Sequence, residues 1–155
     1  MKVDFYHLTR MPLERALPQI AEKVVASGAR LLVVAASAEQ QAALDRLLWT
    51  YAPDSFLPHG RAEADGDDNG AVLAAHQPIL IAGAITPANG ARHIALVDGE
   101  WRDEALAFDR AFHFFDEDHI VAARAAWRAL ATRDGVERRY WKQNDAGRWE
   151  QAAGS

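Results

Sequence analysis

Two short runs of uninterrupted apolar residues constrain this chain more than any other feature. They lie in Arg30-Leu31-Leu32-Val33-Val34-Ala35 and Pro78-Ile79-Leu80-Ile81-Ala82. A strand with one face in water alternates apolar and polar residues. A continuous run rich in branched side chains belongs where both faces are covered, as in the interior of a parallel sheet. Val3–Leu8, Arg92–Val97 and Ala111–Phe115 read as further strands, and Val136–Lys142 as a final one. Between them lie stretches with helical spacing. Leu13, Leu17, Ile20 and Val24 recur every three or four residues, with Thr9 a candidate cap, Pro12 near the first turn and Gly28 at the end. Pro18 interrupts that pattern, because a proline inside a helix removes one hydrogen bond and kinks it. Ser37 is placed to cap a second helix from Ala38 to about Tyr51. Asp116 or Asp118 would cap a late helix through Ile120, Ala123, Trp127 and Leu130 to Arg133. A short helix is expected from Asp103, a loop from Phe56 to Gly70, and turns at Pro87–Gly90 and Asn144–Gly147. Helices alternating with strands predict an α/β fold: a mostly parallel sheet with helices on both faces.

The chain has 155 residues, so one domain over 1–150 is expected, with 151–155 a disordered tail. There is no cysteine, which excludes disulfides and thiolate chemistry. The opening Met1-Lys2-Val3-Asp4-Phe5-Tyr6 lacks the apolar segment of a signal peptide. No run approaches the roughly 20 apolar residues that span a bilayer. A soluble, cytoplasmic protein with no membrane partner is the expectation. Net charge is −5, unevenly distributed: residues 61–119 carry four basic against twelve acidic residues, and residues 120–150 seven against four. An acidic protein repels the nucleic-acid backbone on average, so contact with DNA is expected to be indirect. A local basic patch suits an acidic protein segment better.

The common reactive patterns are missing. Nucleotide-binding α/β folds hold phosphate on a glycine-rich turn after the first strand. Here that turn is Thr9-Arg10-Met11-Pro12, and no phosphate-loop sequence occurs elsewhere. None of Ser27, Ser37, Ser55 and Ser155 lies in a nucleophile elbow. The six histidines form no i, i+4 zinc pair. Asp65-Gly66-Asp67-Asp68-Asn69-Gly70 matches the first half of a calcium loop, but His76 stands where a bidentate glutamate belongs. That segment reads as a solvated turn. No catalytic residue, metal or cofactor is therefore expected. The alternative, a nucleotide-binding or enzymatic domain with an unrecognised site, rests on the sheet architecture alone.

Several patterns together resemble the chi subunit family of bacterial DNA polymerase III. The first is the opening Val3-Asp4-Phe5-Tyr6-His7-Leu8. The second is Leu48-Trp49 followed by Ser55-Phe56-Leu57-Pro58-His59, with Trp49 and Phe56 seven apart. The third is Ala122-Ala123-Arg124-Ala125-Ala126-Trp127-Arg128-Ala129, and the ending Tyr140-Trp141-Lys142-Gln143 with Gly147-Arg148-Trp149 also fits. The acidic loop at Asp65–Asn69 and the Pro87–Gly90 turn depart from the pattern. The resemblance implies a single-domain, Rossmann-like three-layer sandwich without catalysis. It implies a place in the clamp-loader assembly as an adaptor in DNA replication. Its partners would be the acidic, aromatic-ended tail of single-stranded DNA-binding protein and a psi subunit or an alternative helicase-type partner.

For the tail, the matching residues are Arg124, Trp127 and Arg128. One helical turn separates the two arginines, which would lie at the margin of the apolar face. A guanidinium grips a carboxylate through two hydrogen bonds, and an apolar rim accepts the aromatic end. The same residues also read as a core tryptophan beside a solvated helix face. For the psi-type partner the matching residues are Trp49 and Phe56, large aromatics at a helix end and in the following loop. They equally read as ordinary core.

Overall fold

A computed structural model describes residues 1–9, 11–50, 59–61, 78–85 and 90–152, and within these the side chains of all but 49, 50 and 59–61. Among these residues, eight strands form one sheet: β1 (Lys2–His7), β2 (Leu31–Val34), β3 (His59–Arg61), β4 (Ile79–Ala82), β5 (His93–Leu96), β6 (Arg110–Phe115), β7 (Glu137–Gln143) and β8 (Trp149–Ala152). Three α-helices accompany them among the described residues: α1 (Leu13–Ala26), α2 (Ala38–Thr50) and α3 (Ile120–Leu130). Single-turn 3₁₀ helices occupy Asp103–Ala107 and Glu117–His119. The sheet order is β3-β4-β2-β5-β6-β1-β7-β8. Seven strands run parallel and β8 returns antiparallel along β7. The fold is therefore mixed α/β with a mostly parallel sheet.

The uninterrupted runs behave as their composition predicts. Every residue of β2 and β4 is buried, and alternate side chains enter two separate cores. Leu32, Val34 and Leu80 join Phe5, Phe115 and the α3 residues Ala123, Trp127 and Leu130. Leu31, Val33 and Ile79 join Tyr6, Phe112, Leu17 and Val24 of α1, and Leu44 and Leu48 of α2. Burying a side chain of this size stabilises the fold by roughly 1.5–3 kcal/mol. Both cores are thus needed to offset the entropy of ordering the chain.

Helix ends follow local chemistry with some departures. Ser37 Oγ accepts a hydrogen bond from the Gln40 N–H at 3.3 Å and starts α2. Thr9 does not cap α1, whose N-cap is Pro12 with no side-chain bond. The helix continues through Pro18 to Ser27. There Gly28, at φ +83°, lets its own N–H and that of Ala29 reach the carbonyls of Val25 and Val24. That is the six-to-one closure a left-handed glycine permits. Neither Asp116 nor Asp118 caps the late helix, which begins one 3₁₀ turn later than their spacing suggested. The Asp116 carboxylate engages His119 Nδ1 at 2.8 Å instead.

Two strands escape the sequence reading. β3 lies inside the expected Phe56–Gly70 loop, and His-Gly-Arg carries no strand pattern because its pairing to β4 is purely backbone. β7 is not the last strand: after the Asn144–Gly147 turn, β8 pairs Gln151 with Trp141 and Ala152 with Tyr140. The first two residues of the expected tail therefore belong to the sheet, while 153–155 lie outside the described residues. The acidic Asp65–Gly70 segment and most of the Pro87–Gly90 turn also lie outside them.

Candidate functional site

The late helix takes its orientation from its apolar side. Ala123, Ala126, Trp127 and Leu130 are buried, so the positions between them must face water. Val121, Arg124, Ala125 and Arg128 follow one another at helical neighbour spacing, and all four are exposed. The arginines therefore share one face of α3. No ion pair to an acidic side chain ties down either of them among the described residues. Val121 is 77% exposed, the one large hydrophobic side chain so displayed among the described residues. Nothing singled it out in the sequence, since a valine beside Ile120 looks like core until the helix is seen to turn it outwards.

Trp127 lies elsewhere than a rim. It is 8% exposed, with its ring set edge-to-face against Phe5 at 5.3 Å and Tyr140 at 5.6 Å. Its outer side is covered by Arg138, whose guanidinium carbon stands 4.1 Å from the ring centroid. Arg138 also donates to the Trp127 carbonyl at 2.5 Å. That carbonyl is one of the unpaired acceptors of the last helical turn, where positive charge is favoured. A cation over a tryptophan face adds about 0.5–2 kcal/mol. Arg138 was absent from the sequence reading because it stacks from a neighbouring strand.

Alternation along β7 puts Arg138, Tyr140 and Lys142 on the α3 side of the sheet. The charges of Lys142 and Arg124 both bear on His7, at the end of β1, and that of Arg124 bears on Tyr140. Burial pushes the His7 imidazole below its ordinary pKa, with Glu117 opposing from 2.8 Å and Lys142 and Arg124 adding to the depression. The surface around α3 thus combines Arg124, Arg128, Arg138 and Lys142 with the projecting Val121.

Trp49 stands in the last turn of α2, but its side chain and the whole of Phe56 lie outside the described residues. Nothing here brings those two together.

A second feature is the crevice of about 490 Å³ at the carboxyl ends of β1, β5 and β6. Nucleotides bind at this position in open parallel sheets. Its chemistry is wrong for phosphate: Glu14, Asp98 and Asp116 line it, beside His119 and Gln40. Burial alone would push the Asp98 carboxyl up, but hydrogen bonds from Arg102, Ala36 N–H and Glu100 N–H together hold it below the usual carboxylate range. Gly99, at φ +80°, adjoins it, and a Cβ there would clash with the His119 ring. The crevice is acidic on that side. Among the described residues, no group of three or more His, Cys, Asp or Glu is arranged to hold a metal ion. No helix among them is long and apolar enough to cross a membrane.

A family model described as DNA polymerase III chi subunit, HolC, matches residues 1–137. The chain belongs to that family. Membership makes it an accessory component of the replicative polymerase, associated with other subunits of that enzyme. The match to the chi family takes in all of α1, α2 and α3, including Arg124, Trp127 and Arg128, and ends at the first residue of β7. Arg138, Lys142 and the Trp141–Trp149 hairpin lie beyond it. No individual curated protein matches the sequence.

Proposed function

We propose that this chain is a non-catalytic adaptor of the DNA polymerase III clamp-loader assembly that binds the acidic tail of single-stranded DNA-binding protein on the outer face of α3. The observation that carries the reading is the pairing of two exposed arginines, one turn apart and free of acidic partners among the described residues, with a valine projecting beside them. Carboxylates along the tail engage Arg124 and Arg128, and its aromatic end rests against Val121. Hydrogen bonds to charged groups contribute about 1.5–3 kcal/mol each. Ordering a flexible peptide opposes this gain, so affinity in the micromolar range follows.

The family also has a psi-type partner, for which Trp49 and Phe56 are the candidate anchors. The remaining parts of this reading are a single Rossmann-like, three-layer domain over residues 1–150 and a cytoplasmic location. The two cores on opposite faces of the sheet support the first. The acidic crevice where a nucleotide would sit supports an adaptor over an enzyme.

Titrating a fluorescent acidic peptide with a C-terminal phenylalanine, followed by anisotropy, tests the site. Saturable binding that weakens with salt and with Arg124→Ala or Arg128→Ala is expected. Equal affinity of parent and variants would remove the site from α3.

A further inference from the structure

On the opposite face of the sheet, α1 does not reach the outer strands. A cavity of about 560 Å³ opens there, between α1 and the side chains of β1, β5, β6, β7 and β8. That volume lies in the range of small-molecule sites. Five of its twelve lining residues carry rings, among them Tyr6, Phe112, Trp141 and Trp149, and three carry full positive charge: Lys23, Arg110 and Arg139.

The two arginines are positioned from beneath. Asp4 is fully buried, a carboxylate set between Val3 and Phe5 in the first strand. Arg110 Nε donates to its Oδ2 at 2.8 Å, Arg139 pairs with its Oδ1 at 2.9 Å, and Trp141 Nε1 donates to Oδ1 at 3.0 Å. One negative charge thus fixes two guanidiniums and an indole. Arg110 and Arg139 keep 35% and 24% of their side chains exposed. Among the described residues, the two terminal nitrogens of Arg110, Nη1 of Arg139 and the ammonium of Lys23 have no hydrogen-bond or ion-pair partner. Three cations face one carboxylate, so the cavity stays positive in a chain whose net charge is −5.

We infer that this cavity binds a nucleotide unit, its phosphate held by Lys23, Arg110 and Arg139 and its base against the Trp141–Trp149 wall. The fit is chemical. Pre-oriented guanidiniums suit a phosphate's several oxygens. Aromatic walls accept any base, because every base has a π-face. An acidic peptide would use the cations but has no need of so many rings. The ligand is either a free nucleotide or one residue of a single strand. The chain's overall negative charge keeps the affinity modest. This site is separate from the α3 surface and does not depend on it.

Calorimetric titration of the full chain at low salt, with thymidine monophosphate in one arm and a short oligothymidylate in the other, tests the inference. Saturable binding is expected in at least one arm. Binding in both identifies the free nucleotide as sufficient; binding of the oligomer alone identifies a strand. Lys23→Glu should weaken it roughly tenfold, the value of one charged contact. Lys23→Gln should weaken it less, and Arg124→Ala should leave it unchanged. Lys23 is exposed, so both variants should melt as the parent does. No saturable binding in either arm would overturn the proposal. So would equal affinity in Lys23→Glu, or loss of binding in Arg124→Ala. Binding of an acidic peptide that survives Arg124→Ala but is lost in Lys23→Glu, with neither nucleotide probe taken up, would overturn the nucleotide and reassign the cavity to a protein partner. Because the α3 reading is tested with a peptide and expects Arg124→Ala to weaken binding, whereas the cavity is tested with nucleotides and expects Arg124→Ala to leave binding unchanged, the two can fail independently.

Discussion

The two faces of the sheet carry arginine pairs that are opposites in wiring. On the α1 face, Arg110 and Arg139 share the buried carboxylate of Asp4. On the α3 face, Arg124 and Arg128 stand in water with no acidic partner among the described residues. The first pair is tied into the fold and holds its geometry whether or not a ligand is present. The second contributes nothing to stability that solvent does not supply, and is available to a mobile partner. Charge in a sequence does not distinguish these roles; the depth of the nearest acid does.

The largest test of the contrast removes the tether. Asp4→Asn removes the negative charge and one of the two acceptor oxygens shared by two half-buried guanidiniums and the Trp141 indole, and puts an NH2 donor in its place. Breaking a buried ion pair from one side costs about 3–5 kcal/mol. Denaturant melts should show a loss of that order for Asp4→Asn. Arg124→Ala and Arg128→Ala should stay within about 0.5 kcal/mol of the parent, as exposed substitutions do. If Asp4→Asn melted like the parent, the two pairs would not differ in the way described.

The next effect belongs to the α3 face, whose buried polar group has no tether. His113 is fully buried, packed against Phe5, Trp101 and Phe115, and neither ring nitrogen has a hydrogen-bond partner among the described residues. Burial pushes it down to about 4. As pH falls below the ordinary value of 6.5, the unfolded chain takes up a proton there and the folded chain does not. Stability is therefore full above pH 6.5 and declines towards pH 4, by roughly 3 kcal/mol. His7 and His93, also lowered by burial, act in the same direction, while His119, raised by its bond to Asp116, opposes them. Melts of His113→Leu between pH 7 and 4 should show a much shallower decline than the parent. An unchanged slope would assign the acid sensitivity elsewhere.

How much of this was readable beforehand follows from the range of the interactions. Unbroken apolar runs dictate strands buried on both faces, so β2 and β4 were legible within a residue. Ser37 was legible as a cap because its bond closes within three residues. The outward position of Arg124 and Arg128 followed from helical spacing alone. The Asp4 network was not legible: its partners lie more than a hundred residues away and meet only when β1 takes its place between β6 and β7. A lone acid in an apolar first strand was the available signal. Trp127 was ambiguous for the same reason, since Arg138 covers it from another strand. β3 was invisible because a three-residue edge strand is specified by its neighbour's backbone.

On the binding side, each arginine of α3 should count for about 1.5–3 kcal/mol against an acidic peptide. Arg124→Ala and Arg128→Ala should each raise the dissociation constant by roughly tenfold or more, and the effect should shrink as salt is added. Arg124→Lys separates charge from geometry. A lysine keeps the charge but loses the planar fork, so it should recover only part of the affinity if the grip is bidentate. Full recovery would reduce the surface to a patch of positive potential.

The smallest expected effect is the most discriminating for the apolar half of the surface. Val121 is solvent-exposed in the free chain, so replacing it removes almost no buried area from the fold. Val121→Ser should leave the melting curve in place. If the aromatic end of the peptide rests there, the loss of two methyl groups from a newly covered contact costs about 1 kcal/mol, or roughly a fivefold weaker affinity. That loss should persist at high salt, where the arginine contribution fades, because burial of apolar surface is not screened. A Val121→Ser effect that vanished with salt would mean the valine only spaces the arginines. No effect at any salt would place the aromatic contact elsewhere on α3.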